Sequence, residues 1–257
     1  LPQRVRRAVL RGRVRVVYQP LVRLRDNYML GVEALVRLNI GRGKGRGREV
    51  SPDIFIPIAE QHGFITLVTK QVIHGALAEM RDRLTSDAPF YISINLSAED
   101  LTDPEVRAFL DRETVRHDID RARVSLELTE RSTVEETELV RCVRHFRDGG
   151  YSMCLDDFGT GYSGFAYLSK LPIFCIKIDK MFTDTIGLDG ADTTLFDNMM
   201  DIARKLGFKV VVEGVTKAEQ VPYILAANPE AIGQGYLFGK PMTARELADW
   251  EAGRAPL

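Results

Sequence analysis

The sequence predicts a modified (β/α)₈ barrel, a fold class indicated by three observations. Strand-like and helix-like segments alternate along most of the chain, which is typical of a parallel sheet covered by helices. The 257 residues suit one such barrel, and no linker is long enough to mark a domain boundary. The first two strands are separated by a turn so short that they must be antiparallel, which is the modification. We therefore expect residues 1–257 to form a single domain.

The first third of the chain should form this antiparallel pair and two helices. Both strand segments are rich in β-branched residues, and the Asp26-Asn27 pair between them is typical of a turn. Ser51 suits the N-cap and Pro52 the first turn of a helix, so a helix should begin here and end at Gly63. The predicted elements are strands 13–24 and 29–38 and helices 52–62 and 66–84.

The remaining two thirds of the chain continue the alternation to the C-terminus. Gly149-Gly150 and Gly207 follow helical patterns and are typical of helix ends. The predicted strands are 90–96, 124–128, 151–155, 174–178, 208–212 and 231–232. The predicted helices are 104–117, 135–148, 165–170, 194–206, 217–227 and 244–250.

The composition excludes several classes of protein. Hydrophobic residues make up 45% and charged residues 28% of the chain, which excludes disordered and fibrous proteins. No apolar run approaches the roughly 18 residues of a membrane span, so we expect none here. The net charge of −1 argues against a DNA or RNA partner. The cysteines, Cys142, Cys154 and Cys175, cannot all pair and are predicted to be buried thiols in a reducing, cytoplasmic compartment. The chain begins without methionine, so we expect it to be part of a longer protein.

Basic residues are concentrated near the N-terminus. The first 25 residues contain eight arginines and no acid, and residues 41–48 alternate glycine with arginine or lysine. Such a run is usually a solvated, flexible loop. The alternative is a rim that attracts anions toward a phosphate site.

The strongest functional signal is a polar residue at or near the end of most predicted strands. In a (β/α)₈ barrel, the C-terminal ends of the strands meet at the face that holds the active site. Independent helix caps or solvated ends would explain any one of these residues, but not so many on one face. The residues are Glu33, Asn95, Glu127, Asp156, Asp157, Lys177, Asp179, Glu213 and Gln234.

These residues favour a divalent-metal site. Five of the carboxylates would share one bowl with Lys177 as the only cation, namely those of Glu33, Glu127, Asp156, Asp157 and Glu213. They would repel one another unless protonated or bound to cations. Carboxylate and amide oxygens suit Mg²⁺, Mn²⁺ or Ca²⁺, whereas zinc would require histidine or cysteine. The adjacent Asp156 and Asp157 suggest two ions bridged by one carboxylate, an arrangement that recurs in phosphodiester hydrolysis.

A nucleotide-dependent oxidoreductase is a competing interpretation. Gly159, Gly161 and Gly164 spell G-x-G-x-x-G after a strand, and Asp179 lies about where a ribose-binding acid would. However, Asp156 and Asp157 directly before the motif would repel a pyrophosphate. The predicted helix after it is also short for this role.

Seven motifs in one order resemble the EAL domain family of cyclic di-GMP phosphodiesterases and span nearly the whole chain. The three letters EAL alone would carry no weight, but the ordered set is specific. The motifs are YQPLVRLRDNYMLGVEALVRL, ISINLSAEDL, LELTE, LDDFGTGYSG, IKIDK, VVVEGV and QGYLFGKPM.

The resemblance implies a modified barrel that hydrolyses cyclic di-GMP to linear pGpG with two Mg²⁺ or Mn²⁺ ions, while Ca²⁺ binds without supporting turnover. It also assigns residue roles. The implied ligands of the first metal are Glu33, Asn95, Glu127 and Asp156. The implied ligands of the second metal are Asp156, Asp157 and Glu213. Lys177 would contact the attacking water or the phosphate.

Substrate contacts and assembly follow from the same resemblance. Gln19, Leu35 and Arg37 would help to bind the dinucleotide, with Arg37 on a phosphate. Glu130 would order the loop from 157 to 164, which in the family lies near a homodimer interface. The C-terminal motifs resemble members attached to a membrane-bound sensor. The residues that would complete the inner shell are Asp179 and Gln234.

The chain departs from the family pattern at two positions. Thr216 stands where a second glutamate usually follows EGV, and it could cap a helix instead or reduce activity. Asn39 stands where tryptophan is common. Neither change removes a proposed metal ligand, so we expect an active enzyme rather than a receptor that binds cyclic di-GMP without cleaving it.

Overall fold

The computed structural model describes residues 1–41, 48–129, 134–159, 168, 170–187 and 191–253. The strands are β1 (Val14–Arg23), β2 (Tyr28–Asn39), β3 (Glu49–Val50), β4 (Tyr91–Leu96), β5 (Val124–Thr129), β6 (Ser152–Phe158), β7 (Cys175–Ile178), β8 (Lys209–Val212) and β9 (Ile232–Gly233). The helices are α1 (Pro2–Leu10), α2 (Pro52–Gln61), α3 (Ile65–Leu84), α4 (Ala98–Thr102), α5 (Pro104–His117), α6 (Glu136–Asp148), α7 (Lys180–Thr183), α8 (Ala191–Leu206), α9 (Gln220–Ala227) and α10 (Ala244–Ala252). A short 3₁₀ turn covers Arg121–Arg123.

Eight of these strands close into a barrel. Their order around it is β1, β9, β8, β7, β6, β5, β4 and β2, and the β1–β2 pair completes the ring. Strand β1 runs antiparallel to both of its neighbours, while the other barrel strands are parallel to one another. This confirms the predicted modified barrel and its antiparallel first strand. In the described ranges, strand β3 pairs only with the end of β2.

The hydrophobic core lies between the barrel and its helices. Alternate strand residues such as Ile92 and Ile94 of β4 are fully buried and pack outward into this layer. Helix α3 contributes Ile73 and Leu77 at helical spacing. Because side chains alternate along a strand, the intervening positions point into the barrel, where the polar residues lie.

Helix α1 was not predicted from the sequence, where its arginines were interpreted as part of a charge run. Val5, Ala8 and Val9 form its buried stripe and join a second core cluster at the end of β2. Its arginines lie on the exposed face. The 3–4 spacing of the apolar residues was the signal for a helix.

Other boundaries differ in detail. Ser51 occupies the N-cap of α2, but its hydroxyl donates to Asp53 rather than capping the backbone. Helix α9 begins at Gln220, three residues later than predicted. Most of the predicted helix 165–170 and the basic residues 42–47 lie outside the described residues. All three cysteines are buried and unpaired, as predicted. None of the helices in the described ranges has the length and apolar character needed to cross a membrane.

Candidate active site

The register of the barrel strands brings the predicted polar residues to one level of its interior. Gln19 of β1 lies opposite Glu33 of β2, and Asn95 of β4 lies opposite Glu127 of β5. These side chains alternate with outward-facing core residues, so they point into the barrel. The structure therefore places residues that are far apart in the sequence around one centre.

Lys177 lies at this centre and is fully buried. Its ammonium nitrogen lies 2.7 Å from Glu213 Oε1 and 3.0 Å from Glu127 Oε2. It lies 3.3 Å from Glu33 Oε2 and 3.4 Å from Asp156 Oδ1. We call these five residues the Lys177 cluster. One ammonium group thus interacts with four carboxylates that are mostly shielded from water. The cluster therefore carries an excess of negative charge when the carboxylates are ionised.

The protonation behaviour of the cluster follows from burial and this charge imbalance. Burial alone would lower the pKa of Lys177, but the surrounding carboxylates raise it well above its ordinary value. Burial raises the pKa of Glu127 well above its ordinary value, and repulsion from Glu33 and Asp156 adds to this. Burial raises the pKa of Glu213 to about 7. Lys177 is therefore protonated at neutral pH in this arrangement.

Glu33 is the most tightly held of the carboxylates. Asn95 Nδ2 donates to its Oε1 at 2.7 Å, and Gln234 Nε2 donates to its Oε2 at 2.5 Å. Burial favours a raised pKa, but Lys177 and these two amides lower the pKa of Glu33 below its ordinary value. Gln234 Nε2 also donates to Gln19 Oε1 at 3.1 Å. Glu33 is thus fixed in its ionised form.

Ser93 was not predicted as a site residue, but its side chain contacts Glu127. Its buried hydroxyl donates to Glu127 Oε1 at 2.5 Å. Ser93 lies two residues before Asn95 on β4, and residues two apart in a strand share a face. That spacing was the available signal.

A local bend brings Asp156 and Asp157 to the same side of the strand. Adjacent residues of a regular strand point to opposite faces, but β6 has an irregularity between Leu155 and Phe158. Asp157 has a φ of 55° there, and its N–H donates to Asp156 Oδ1 at 2.9 Å. The left-handed backbone is unusual for a residue other than glycine. It allows both carboxylates to face Glu213.

These three acids form the arrangement that best fits a metal ion. Within the described part of the chain, only Asp156, Asp157 and Glu213 place three ligand atoms of this kind within 4.8 Å of one another. The excess negative charge and the oxygen donors suit a hard divalent cation. Gln234 Oε1 is also buried with no hydrogen-bond partner among the described residues. The residues present therefore fit a bound cation.

Glycine at position 214 shapes the chain directly after Glu213. Gly214 has a φ of +66°, and a Cβ at this position would lie 2.2 Å from Lys180 Cγ. Any other residue would clash with Lys180 and strain the backbone. The glycine thus lets the chain turn tightly where Glu213 leaves the strand.

A groove of about 530 Å³ adjoins the cluster. Its walls include three predicted site residues, Leu35, Arg37 and Asn95. Arg37 Nη1 donates to Val36 O at 2.8 Å, and its Nε lies 3.8 Å from Glu49 Oε1. The volume is within the range of small-molecule sites.

The remaining predicted residues lie outside the cluster. The Asp179 carboxylate accepts from Met181 N at 2.8 Å and caps α7. The suggestion that Thr216 caps a helix is wrong, because α9 begins four residues later and Gln220 Oε1 accepts from the Thr216 N–H. Glu130 lies outside the described residues, as do two of the three glycines of the G-x-G-x-x-G motif.

The comparison with protein-family models decides the family. The model of the EAL domain matches residues 3–241. The chain belongs to the EAL domain family. The fold of this EAL domain agrees with a solved structure described as the PaMucR phosphodiesterase in complex with c-di-GMP. The TM-score is 0.86 and the identity 30%, covering 95% of this chain and 98% of the other.

Curated relatives of this EAL domain carry related names. It is 38% identical over 250 residues to the probable cyclic di-GMP phosphodiesterase PdeG of Escherichia coli K12, covering 95% of this chain and 47% of PdeG. It is 34% identical over 236 residues to the cyclic di-GMP phosphodiesterase PA2567 of Pseudomonas aeruginosa, covering 91% of this chain and 39% of that protein. The chain thus spans about half or less of the length of these relatives.

Proposed function

We propose that this EAL domain hydrolyses cyclic di-GMP to linear pGpG. The observation that carries the proposal is the Lys177 cluster beside the groove formed by Leu35, Arg37 and Asn95. The names of PdeG, PA2567 and PaMucR support the same substrate. All five predicted acids are present, so turnover is favoured over binding without cleavage.

Two divalent ions, Mg²⁺ or Mn²⁺, fit the acids of this site. One would be held by Asp156, Asp157 and Glu213, whose carboxylates already converge. When bound, such ions would lower the pKa of a water molecule and neutralise charge on the phosphate. The proposed ligands of the other ion are Glu33, Asn95, Glu127 and Asp156.

The residues of the cluster have distinct parts in this proposal. Lys177 stays protonated between its carboxylates. We propose that one of its N–H groups contacts the attacking water or a phosphate oxygen when substrate is bound. Asn95 and Gln234 hold Glu33 in one orientation, which leaves the carbonyl oxygen of Asn95 for another partner. Glu213 would act on the reacting water together with Glu33. Such preorganised groups stabilise charge that develops during reaction.

Substrate binding is proposed to extend from the cluster along the groove. Arg37 has guanidinium N–H groups beyond the one used by Val36 O, and these suit a phosphate. Leu35 would pack against the dinucleotide. Gln19 and Gln234 would contact it near the metal site, with Asp179 at its edge.

Assembly and location remain proposals that rest on the family. We propose a homodimer in which Glu130 orders the loop that begins at Asp157. We further propose that the domain acts in the cytoplasm as part of a longer, membrane-attached sensor. The 47% coverage of PdeG is consistent with further domains in such proteins.

The experiment is a turnover assay with cyclic di-GMP and Mg²⁺ or Mn²⁺, in which pGpG is separated by chromatography. The unmodified chain should form pGpG, EDTA should stop the reaction, and Ca²⁺ should not restore it. Glu33→Ala should form none. Met153→Leu is the matched control, since Met153 is buried in the outer core and the change conserves its volume.

Two outcomes would contradict the proposal. Intact cyclic di-GMP that stays bound in the presence of Mn²⁺ would favour a receptor. Equal turnover in Glu33→Ala and Met153→Leu would show that the cluster is not the reaction centre.

A further inference from the structure

The lower half of the barrel interior contains a second cavity, of about 370 Å³. Closed barrels of this type usually fill this space with bulky branched side chains. Although Tyr91 of β4 also lines the cavity, four inward positions of β4 to β7 carry small side chains, so the space between them stays open. These residues are Ser93, Ser125, Cys154 and Cys175.

The cavity is separate from the groove beside the Lys177 cluster. The two share no wall residue among the described positions. Ser93 and Glu127, which are joined by a hydrogen bond of 2.5 Å, form the top of the cavity. A molecule bound here would therefore lie below the cluster rather than in the substrate groove.

The mouth of the cavity lies at the N-terminal ends of the strands and is basic. Lys209 is exposed there, and its Nζ lies 4.8 Å from the centre of the Phe174 ring. Arg123 also lines the cavity, and its Nη1 donates to Ala88 O. Neither forms an ion pair with a carboxylate in the described part of the chain. The mouth thus offers Lys209 as a cation for an anionic group.

The interior of the cavity is uncharged apart from Glu127 at its top. Leu21, Val211 and Ile232 supply apolar surface. The remaining polar groups of the wall are hydroxyls and thiols, such as those of Tyr91, Ser125 and Cys154. This lining suits an apolar body rather than a second charged group.

We propose that this cavity binds a small monocarboxylate with an apolar body, whose carboxylate pairs with Lys209 at the mouth. The volume is within the range of small-ligand sites. The apolar body fills the space left by the small side chains and contacts Leu21, Val211 and Ile232. A medium-chain fatty acid such as decanoate has this chemistry.

The two cysteines in the wall allow a direct test. The unmodified chain is treated with methyl methanethiosulfonate, and labelling of each cysteine is followed by peptide mass spectrometry. Decanoate, below its micellar concentration, should slow labelling of Cys154 and Cys175 about tenfold at ten times its dissociation constant. Cys142 lies on α6, outside the barrel, and should be unaffected.

Three comparisons assign the protection to this cavity. Lys209→Gln should weaken protection by decanoate but not by decanol, which lacks the carboxylate. Ser125→Leu should fill the cavity and abolish protection by both decanoate and decanol. If this variant does not fold, calorimetry of decanoate binding to the unmodified chain replaces it. Absence of both binding and protection would overturn the proposal, as would equal slowing at Cys142. None of these measurements depends on turnover of cyclic di-GMP.

Discussion

The upper and lower layers of the barrel interior are built by the same strands but differ completely in chemistry. On β6 to β9, each upper residue lies two positions after a lower one. The upper layer consists of Gln19, Glu33, Asn95, Glu127, Asp156, Lys177, Glu213 and Gln234. The lower layer includes Leu21, Tyr91, Ser93, Ser125, Ser152, Cys154, Cys175, Val211 and Ile232.

This difference assigns the reaction to the upper layer and packing to the lower layer of the same barrel. The upper layer concentrates like charges around Lys177, an arrangement that costs stability unless a cation is added. Among the described residues, the lower layer contains no charged side chain, and the Ser93 hydroxyl donates a hydrogen bond to Glu127 in the upper layer. Substitutions in the upper layer should therefore change the reaction, and those in the lower layer should change stability or ligand binding.

The largest expected contrast is between Asp156→Ala and Ser152→Ala on the same strand. Asp156 belongs to both proposed metal sites, so its loss should reduce turnover of cyclic di-GMP at least about 100-fold. Ser152 lies at the lower end of β6 and should be replaceable with little effect on turnover. The rate of pGpG formation under saturating Mn²⁺ measures both. Similar rates for the two variants would remove the functional distinction between the layers.

Removing the Lys177 ammonium should show how strongly the clustered carboxylates of the upper layer destabilise the fold. Lys177→Met leaves four carboxylates without their buried partner, which should lower the free energy of unfolding by about 3 kcal/mol at pH 8 in EDTA. The folded variant holds protons on these acids more tightly than the unfolded chain, so its deficit should shrink as the pH falls toward 5. Urea unfolding of both proteins at the two pH values measures this. If the loss in free energy of unfolding were the same at pH 8 and pH 5, the charges of the carboxylates would not determine it.

The sequence predicted the barrel because each strand had a clear apolar pattern and an end marked by a polar residue. It also identified the members of the Lys177 cluster, since strand ends of a barrel converge. It could not predict which acids would face Lys177 and which would face one another. That depends on the bend at Asp157, where the left-handed backbone arises from tertiary structure rather than from a turn motif.

Helix α1 and Ser93 were not predicted for a different reason. The sequence contained the periodicity that indicates each of them, but the residue types in these segments pointed elsewhere. The arginines of α1 obscured the spacing of Val5, Ala8 and Val9. Ser93 was passed over because serine is common in strands and carries no charge. In both cases the period of the element, rather than the residue type, held the information.

Two serines of the lower layer should respond in opposite ways to the same substitution. Ser125→Val adds apolar surface inside the cavity and should stabilise the fold by about 1 kcal/mol. Ser93→Val removes the hydrogen bond to Glu127 and should destabilise it by about 1.5 kcal/mol. Chemical unfolding in EDTA measures both changes. Equal shifts of the same sign would show that the layer responds to volume alone.

The smallest effect concerns the backbone that joins the layers at Asp157. Alanine there loses the carboxylate but keeps the left-handed strain, whereas glycine loses the carboxylate and relieves it. Asp157→Gly should therefore be more stable than Asp157→Ala by about 1 kcal/mol, while both bind Mn²⁺ more weakly than the unmodified chain by the same factor. Thermal unfolding without metal and calorimetric titration of Mn²⁺ separate the two contributions. If the alanine variant were as stable as the glycine variant, the bend would carry no strain. The approach of Asp156 and Asp157 to Glu213 would then not depend on a strained backbone.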